Sequence, residues 1–211
     1  MWDWNGTLLD DVDIVIDAMN SLLKRRKLPL LDMERYKDLF TFPVKNYYAR
    51  LGFDFSLEPF EELATEYISE FNSNKYLFKL HPGAGEVLGF IHGMGISQSI
   101  LSASQEQELI EAVNRLNISD FFIRIAGLNN HYAISKVDRG KDLLAELGLE
   151  PDEVLLIGDT VHDYEVAKEI GCGCLLIYNG HQSYQRISGC TACMIETISE
   201  VIDFIKGEAI A

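Results

Sequence analysis

Basic residues are scarce. Eighteen lysines and arginines stand against 33 aspartates and glutamates, a net charge of −15 over 211 residues. A field of that sign repels nucleic acid and anionic membrane surfaces, and it argues against either as a partner. Any phosphate-binding role then needs a local device that overrides the global charge, and a divalent cation is the natural one. Long apolar runs are missing too: none approaches the about eighteen residues of a membrane-spanning helix. The opening Met1-Trp2-Asp3-Trp4-Asn5 carries neither the basic region nor the apolar stretch of a secretory signal, so a cytoplasmic location is expected. Repeats, low-complexity tracts and flexible linkers are absent. The apolar share of 47% nonetheless supplies ample material for a core, which excludes a disordered chain.

Cysteine is sparse as well, with Cys172, Cys174, Cys190 and Cys193. The last two spell C-x-x-C, a spacing that suits zinc or redox chemistry. Zinc needs about four ligands, and neither a second C-x-x-C nor an H-x-x-x-H stands nearby. Cys172 and Cys174 lie where a buried strand begins, and there cysteine behaves as a small hydrophobe. Structural thiols in a reducing compartment are therefore expected.

What is present is a change of pattern along the chain. Residues 11–80 have helical periodicity, with Val12, Val15, Ile16, Met19, Leu22 and Leu23 on one stripe of a helix over 11–27 that Pro29 stops. Further helices are expected at 32–40, 44–51 and 59–72, with no strand among them. From His81 on, helices at 83–92, 105–116, 135–147, 164–170 and 198–205 alternate with strands at 96–101, 122–125, 154–157 and 174–178. Such alternation implies an α/β fold of Rossmann-like type, a mostly parallel sheet covered on both faces. The expected organisation is a core of residues 1–10 and 81–211 with an inserted helical cap over 11–80. Chemistry gathers beyond the carboxyl ends of parallel strands, so the residues just after each strand matter most.

Those positions hold Asp3-Trp4-Asn5-Gly6-Thr7-Leu8-Leu9-Asp10, then Ser102-Ala103-Ser104, Lys136, and Gly158-Asp159-Thr160-Val161-His162-Asp163. The D-x-N-G-T-L-x-D opening combined with G-D-x-x-x-D resembles the haloacid dehalogenase superfamily, in its phosphoglycolate phosphatase-like branch. The resemblance covers almost the whole chain. It implies a phosphatase acting on a small phosphorylated metabolite through an aspartyl-phosphate at Asp3. A carboxylate that attacks phosphorus amid negative charge needs a hard cation with oxygen ligands and an ammonium group. Mg²⁺ is the expected cofactor, with Asp3, Asp159 and the Asn5 carbonyl as ligands and Asp163 as a supporting acid of the same metal cluster. Thr7, Ser102, the backbone at Ala103, and Lys136 would hold phosphate, and Thr7 would also brace the Asp3 carboxylate.

Simpler readings stand beside these. Asp159 and Asp163 suit helix capping, serine after a strand is ordinary, and Lys141 competes with Lys136. His81, His131, His162 and His181 read as surface or supporting positions, with His162 placed to tune the acids around it. Lys45 and Asn46, after the Phe42-Pro43 break, are candidates for substrate discrimination on a cap that closes over the site. A monomer or homodimer is expected.

Two features depart from the family pattern. Most of its phosphatases carry a second Asp where this chain has Asn5, and that Asp protonates the leaving group and then activates water. An amide side chain does neither, and general acid–base catalysis is typically worth about a hundred- to ten-thousand-fold. A slow phosphatase, a non-catalytic phosphate-binding relative and a sugar-phosphate phosphotransferase all remain open at this point. The second feature is that only Met1-Trp2 precede Asp3, which predicts either a chain start further upstream or a central strand frayed beside the site.

Overall fold

The computed structural model describes residues 1–128 and 136–207; His131 and Ser135 lie outside the described residues. The chain divides into two compact units, Asp11–Phe78 and the combined segments Met1–Asp10 and Lys79–Ala211.

The first unit contains α1 (Val12–Arg25), α2 (Met33–Leu39), α3 (Val44–Leu51) and α4 (Phe60–Ser73). The stripe of α1 is buried along its length, with Asp13 in the first turn and Lys24 and Arg25 in the last, as the helix dipole favours. The Asp32 side chain caps α2 by accepting from the Arg35 N–H at 2.8 Å. Pro43 and Pro59 stand just before α3 and α4. Tyr36, Tyr47 and Tyr48 join the α1 stripe in one core, where their rings meet edge to face. Lys45, a candidate for substrate discrimination, lies over the Phe55 and Phe60 rings at 5.4 and 5.7 Å from their centroids.

The second unit runs α5 (Ala84–Gly93), β1 (Ser99–Gln105), α6 (Glu106–Arg115), β2 (Arg124–Leu128), α7 (Lys136–Leu147), β3 (Leu155–Gly158), α8 (Val161–Ile170), β4 (Gly173–Ile177), α9 (Tyr184–Ile187), β5 (Cys193–Ile195) and α10 (Val201–Lys206). The pairs β1–β2, β3–β4 and β4–β5 are all parallel. Residues 1–3 join the two halves. Trp2 donates its N–H to Ser99 O and accepts from Leu101 N–H, both at 2.8 Å. On the other side Asp3 N–H reaches Ile157 O at 2.8 Å, and Met1 O accepts from Ile157 N–H at 2.9 Å. The expected fraying is therefore corrected. A parallel strand turns alternate residues to opposite neighbours, so three residues suffice to bridge β1 and β3. The resulting order is β2-β1-(residues 1–3)-β3-β4-β5, which sets Asp3 at the carboxyl edge in the middle of the sheet.

Several boundaries differ from the sequence reading. β1 starts at Ser99 and runs on to Gln105 with an irregularity after Leu101, so Ser102, Ala103 and Ser104 belong to the strand and do not follow it. The helix expected from residue 164 begins at Val161, because Thr160 and Asp163 form a capping box directly behind β3. The short β5 and α9 carry too few residues for a periodic signal. Cys172 and Cys174 pack against the core of Leu101, Leu143, Leu156, Val166 and Ile170, and burial pushes both thiols up. All four cysteines are free. Among the described residues no helix is long and apolar enough to cross a membrane.

Candidate active site

The site is built on the carboxyl edge of β1, residues 1–3 and β3. After Asp3 the chain folds into a knuckle in which the Trp4 carbonyl accepts from the N–H groups of Thr7, Leu8 and Leu9, while Gly6 N–H donates to Leu9 O at 3.0 Å. Gly6 adopts φ +72°, and a Cβ there would overlap the Asp159 carboxylate and the His181 ring. Only glycine meets both conditions.

Lys136, at the first turn of α7, is 3% exposed and places its Nζ 2.6 Å from Asp3 Oδ1 and 2.6 Å from Asp163 Oδ1. Lys141 is exposed. Asp163 Oδ2 accepts from Thr160 Oγ1 at 2.6 Å, Thr160 N–H at 3.0 Å and Asp159 N–H at 3.3 Å. Asp163 thus caps α8 and anchors Lys136 together, so the capping interpretation holds for it alongside its place in the cluster.

Asp159 is fully buried. Its Oδ1 accepts from Thr7 Oγ1 at 2.9 Å and its Oδ2 from His181 N–H at 2.6 Å. The expectation that Thr7 braces Asp3 is therefore corrected: the knuckle turns the Thr7 hydroxyl across to the β3 side. His181 is buried and is not a surface residue; it lies on the loop after β4 with Gly180, whose Cβ position is filled by the Asp159 side chain. Gln182 on the same loop accepts from Val161 N–H at 2.8 Å and so ties it to the start of α8. No motif marks this loop; of the two alternatives read for His181, surface or supporting, the structure shows the supporting one. His162 is half-buried with Nδ1 3.8 Å from Glu165, and burial lowers its pKa.

On the β1 side, Ser104 Oγ donates to Asn5 Oδ1 at 2.8 Å, and Ser104 N–H donates to the buried Ser102 Oγ at 3.0 Å. Ala103 is half-buried between the two serines. The pairing of Ser104 with Asn5, like that of His181 with Asp159, was legible only in three dimensions.

The electrostatics follow from crowding three acids around one ammonium. Burial and the neighbouring Asp163 charge raise the Asp3 carboxyl to about 7 despite Lys136. Burial likewise raises Asp159 to about 6, against the pull of His181. Burial also works against the charge on Asp163, but Lys136 and Thr160 outweigh it and hold the group below its ordinary value. Burial opposes the charge on Lys136 too, and the two acids more than offset this, raising its pKa.

Residues 1–177 match the family of haloacid dehalogenase-like hydrolases. The chain belongs to this family. A phosphoglycolate phosphatase of Chromobacterium violaceum is 20% identical over 97% of this chain and 95% of its own length. The N-acetylmuramic acid 6-phosphate phosphatase of Pseudomonas aeruginosa is 25% identical over 81% of this chain and 77% of its own. Among solved structures, a haloacid dehalogenase-like hydrolase from Streptococcus pneumoniae superposes with a TM-score of 0.85 at 21% identity, covering 97% of this chain and 96% of that one.

The residues of this haloacid dehalogenase-like hydrolase fit a hard divalent cation. Asp3, Asp159 and Asp163 each offer an oxygen, and the three atoms lie within 4.8 Å of one another. An all-oxygen donor set of this kind suits Mg²⁺. Asp163 is charge-compensated by Lys136 and held by the Thr160 turn, whereas Asp159 accepts from the neutral donors of Thr7 and the His181 backbone. Asp3 and Asp159, the two acids whose charge is under-compensated, are the ones a cation would relieve.

Proposed function

We propose that this protein is a magnesium-dependent phosphatase of small phosphorylated metabolites, with Asp3 as the nucleophile. The observation that carries the reading is the buried Asp3 carboxylate held 2.6 Å from Lys136 Nζ at the carboxyl edge of the central strand. The names of the relatives support phosphoric monoester hydrolysis as the reaction class. Asp3 and Asp159, with the Asn5 backbone carbonyl, would hold Mg²⁺, which supplies positive charge where a phosphate oxygen must be neutralised. Lys136 holds the nucleophile in place and offsets the charge of the incoming phosphoryl group. Ser102 and the backbone at Ala103 lie on the adjacent strand as donors for its oxygens. Asp163 keeps Lys136 charged and oriented. Four free cysteines suit the reducing conditions of the cytoplasm.

The test is turnover of p-nitrophenyl phosphate with and without Mg²⁺. We expect hydrolysis that requires the ion and is abolished in Asp3→Ala. Asn5 favours one second reading, a relative that binds phosphate with Mg²⁺ and does not turn it over. Calorimetric binding of inorganic phosphate without any hydrolysis would select it.

A further inference from the structure

The acceptors around Asp3 are already committed. Asp163 receives Lys136 on one oxygen and the Thr160 turn on the other. Asp159 receives Thr7 on one oxygen and His181 N–H on the other. Asn5 is no base, and its carbonyl oxygen accepts from Ser104 Oγ. The position beside the nucleophile therefore neither gives a proton to a departing group nor takes one from water.

These constraints act unequally on the two halves of the reaction. In the first, an Asp3 oxygen attacks phosphorus and the bond from phosphorus to the leaving oxygen breaks, with the electron pair going to that oxygen. A leaving group stable as an anion needs no proton, so this half proceeds. In the second, water attacks phosphorus, loses a proton to solvent, and releases phosphate and the Asp3 carboxylate. Among the described residues, the carboxylates that surround Asp3 are engaged by other donors, and that half lacks a base at position 5.

Resting on the phosphatase reading above, we infer that this enzyme acts on activated phosphoryl donors, such as acyl or aryl phosphates, and that its Asp3 acyl phosphate outlives formation and accumulates. Ser104 is the positioning residue of this arrangement. Its hydroxyl donates equally well to an amide or a carboxylate oxygen, so Asn5→Asp keeps the same hydrogen bond and nearly the same shape.

The experiment is rapid-mixing kinetics with p-nitrophenyl phosphate and Mg²⁺, together with intact-protein mass analysis of acid-quenched enzyme. Acetyl phosphate and an alkyl phosphate serve as comparison substrates. Wild type should show a burst approaching one nitrophenolate per chain, a phosphorylated mass species absent from Asp3→Ala, and turnover of the activated donors at least about a hundred-fold above the alkyl phosphate. Asn5→Asp should remove the burst and raise steady turnover about ten-fold or more. Linear turnover without burst or phosphorylated species would overturn the inference while leaving the phosphatase reading intact. Equal rates on alkyl and activated donors would overturn it as well. Absence of both turnover and labelling would overturn the phosphatase reading itself.

Discussion

Asp3 and Asp163 share one ammonium, each 2.6 Å from Lys136 Nζ and each drawn down by it, yet their net shifts run in opposite directions. Burial drives Asp3 up to about 7, and the charge of Asp163 adds to the effect. Asp163 is as deeply buried yet stays ionised, because Thr160 and the Asp159 N–H share its charge with Lys136. One carboxylate is anchored and its partner is left under-compensated, an asymmetry that suits the proposed nucleophile beside a proposed cation site.

Lys136→Met tests the anchor. Removing one partner of a buried ion pair typically costs about 3–5 kcal/mol, since the remaining charge is stranded. Chemical denaturation should show a loss of that size, and phosphatase activity should vanish. A loss under about 1 kcal/mol would mean that Lys136 does not compensate these acids.

The raised carboxyls set a pH dependence. Asp3 and Asp159 have folded pKa values of about 7 and about 6, above the ordinary carboxylate value of 3.8. Between the ordinary and folded values the folded chain binds more protons than the unfolded one, so stability falls as pH rises through that window. The raised Lys136 contributes fully below its ordinary value and is lost only in strong alkali. In EDTA these two groups should therefore lower the melting temperature between pH 5 and pH 7.5, opposed in part by His162 and the Met1 amine, whose lowered pKa values work the other way. Mg²⁺ competes with protons for the same oxygens, so its stabilising effect should be larger at pH 7.5 than at pH 5. Equal effects at both values would rule out Asp3 and Asp159 as the ligands.

Thr7→Val tests the corrected partner of that hydroxyl. Removing a group that orients a metal ligand typically costs about 10- to 100-fold in metal affinity. Titration calorimetry should show weaker Mg²⁺ binding by that factor, because Asp159 loses its Thr7 donor. Unchanged affinity would mean that the Thr7 hydroxyl does not orient Asp159 as a ligand.

Gly180→Ala tests the loop after β4. A methyl group there overlaps the Asp159 side chain, so the carboxylate or the loop must move. Overpacking of this kind typically costs about 1–3 kcal/mol, and Mg²⁺ affinity should fall with it. Wild-type stability and affinity together would show that the loop is not packed against Asp159.

The sequence reading reached the family, the parallel sheet and the acid–lysine cluster because those signals are local. D-x-N-G-T and G-D-x-x-x-D are contiguous runs, and Lys136 opens a periodic helix. What it missed depended on distance along the chain. His181 and Gly180 stand about twenty residues beyond Asp159 in an irregular loop, and Ser104 meets Asn5 across 99 positions. The Thr7 error had the same origin, since its hydroxyl pairs with Asp159, 152 positions away, and not with Asp3 in the same motif. The short central strand misled because pairing on both sides is a property of the sheet and not of the segment.

Asn5 and Gly6 form a dipeptide that ages. Deamidation requires the Gly6 nitrogen to attack the Asn5 side-chain carbonyl and close a five-membered ring with loss of ammonia, which water then opens to the acid; glycine hinders that closure least. In the folded knuckle that nitrogen is tied to Leu9 O and the side-chain oxygen to Ser104, so ring closure waits until the turn opens. Each opening is a chance to write an acid, or its isomer, beside the nucleophile. Stored protein would then drift into a mixture of two catalysts, and the time since purification becomes a hidden variable in every rate measured on it.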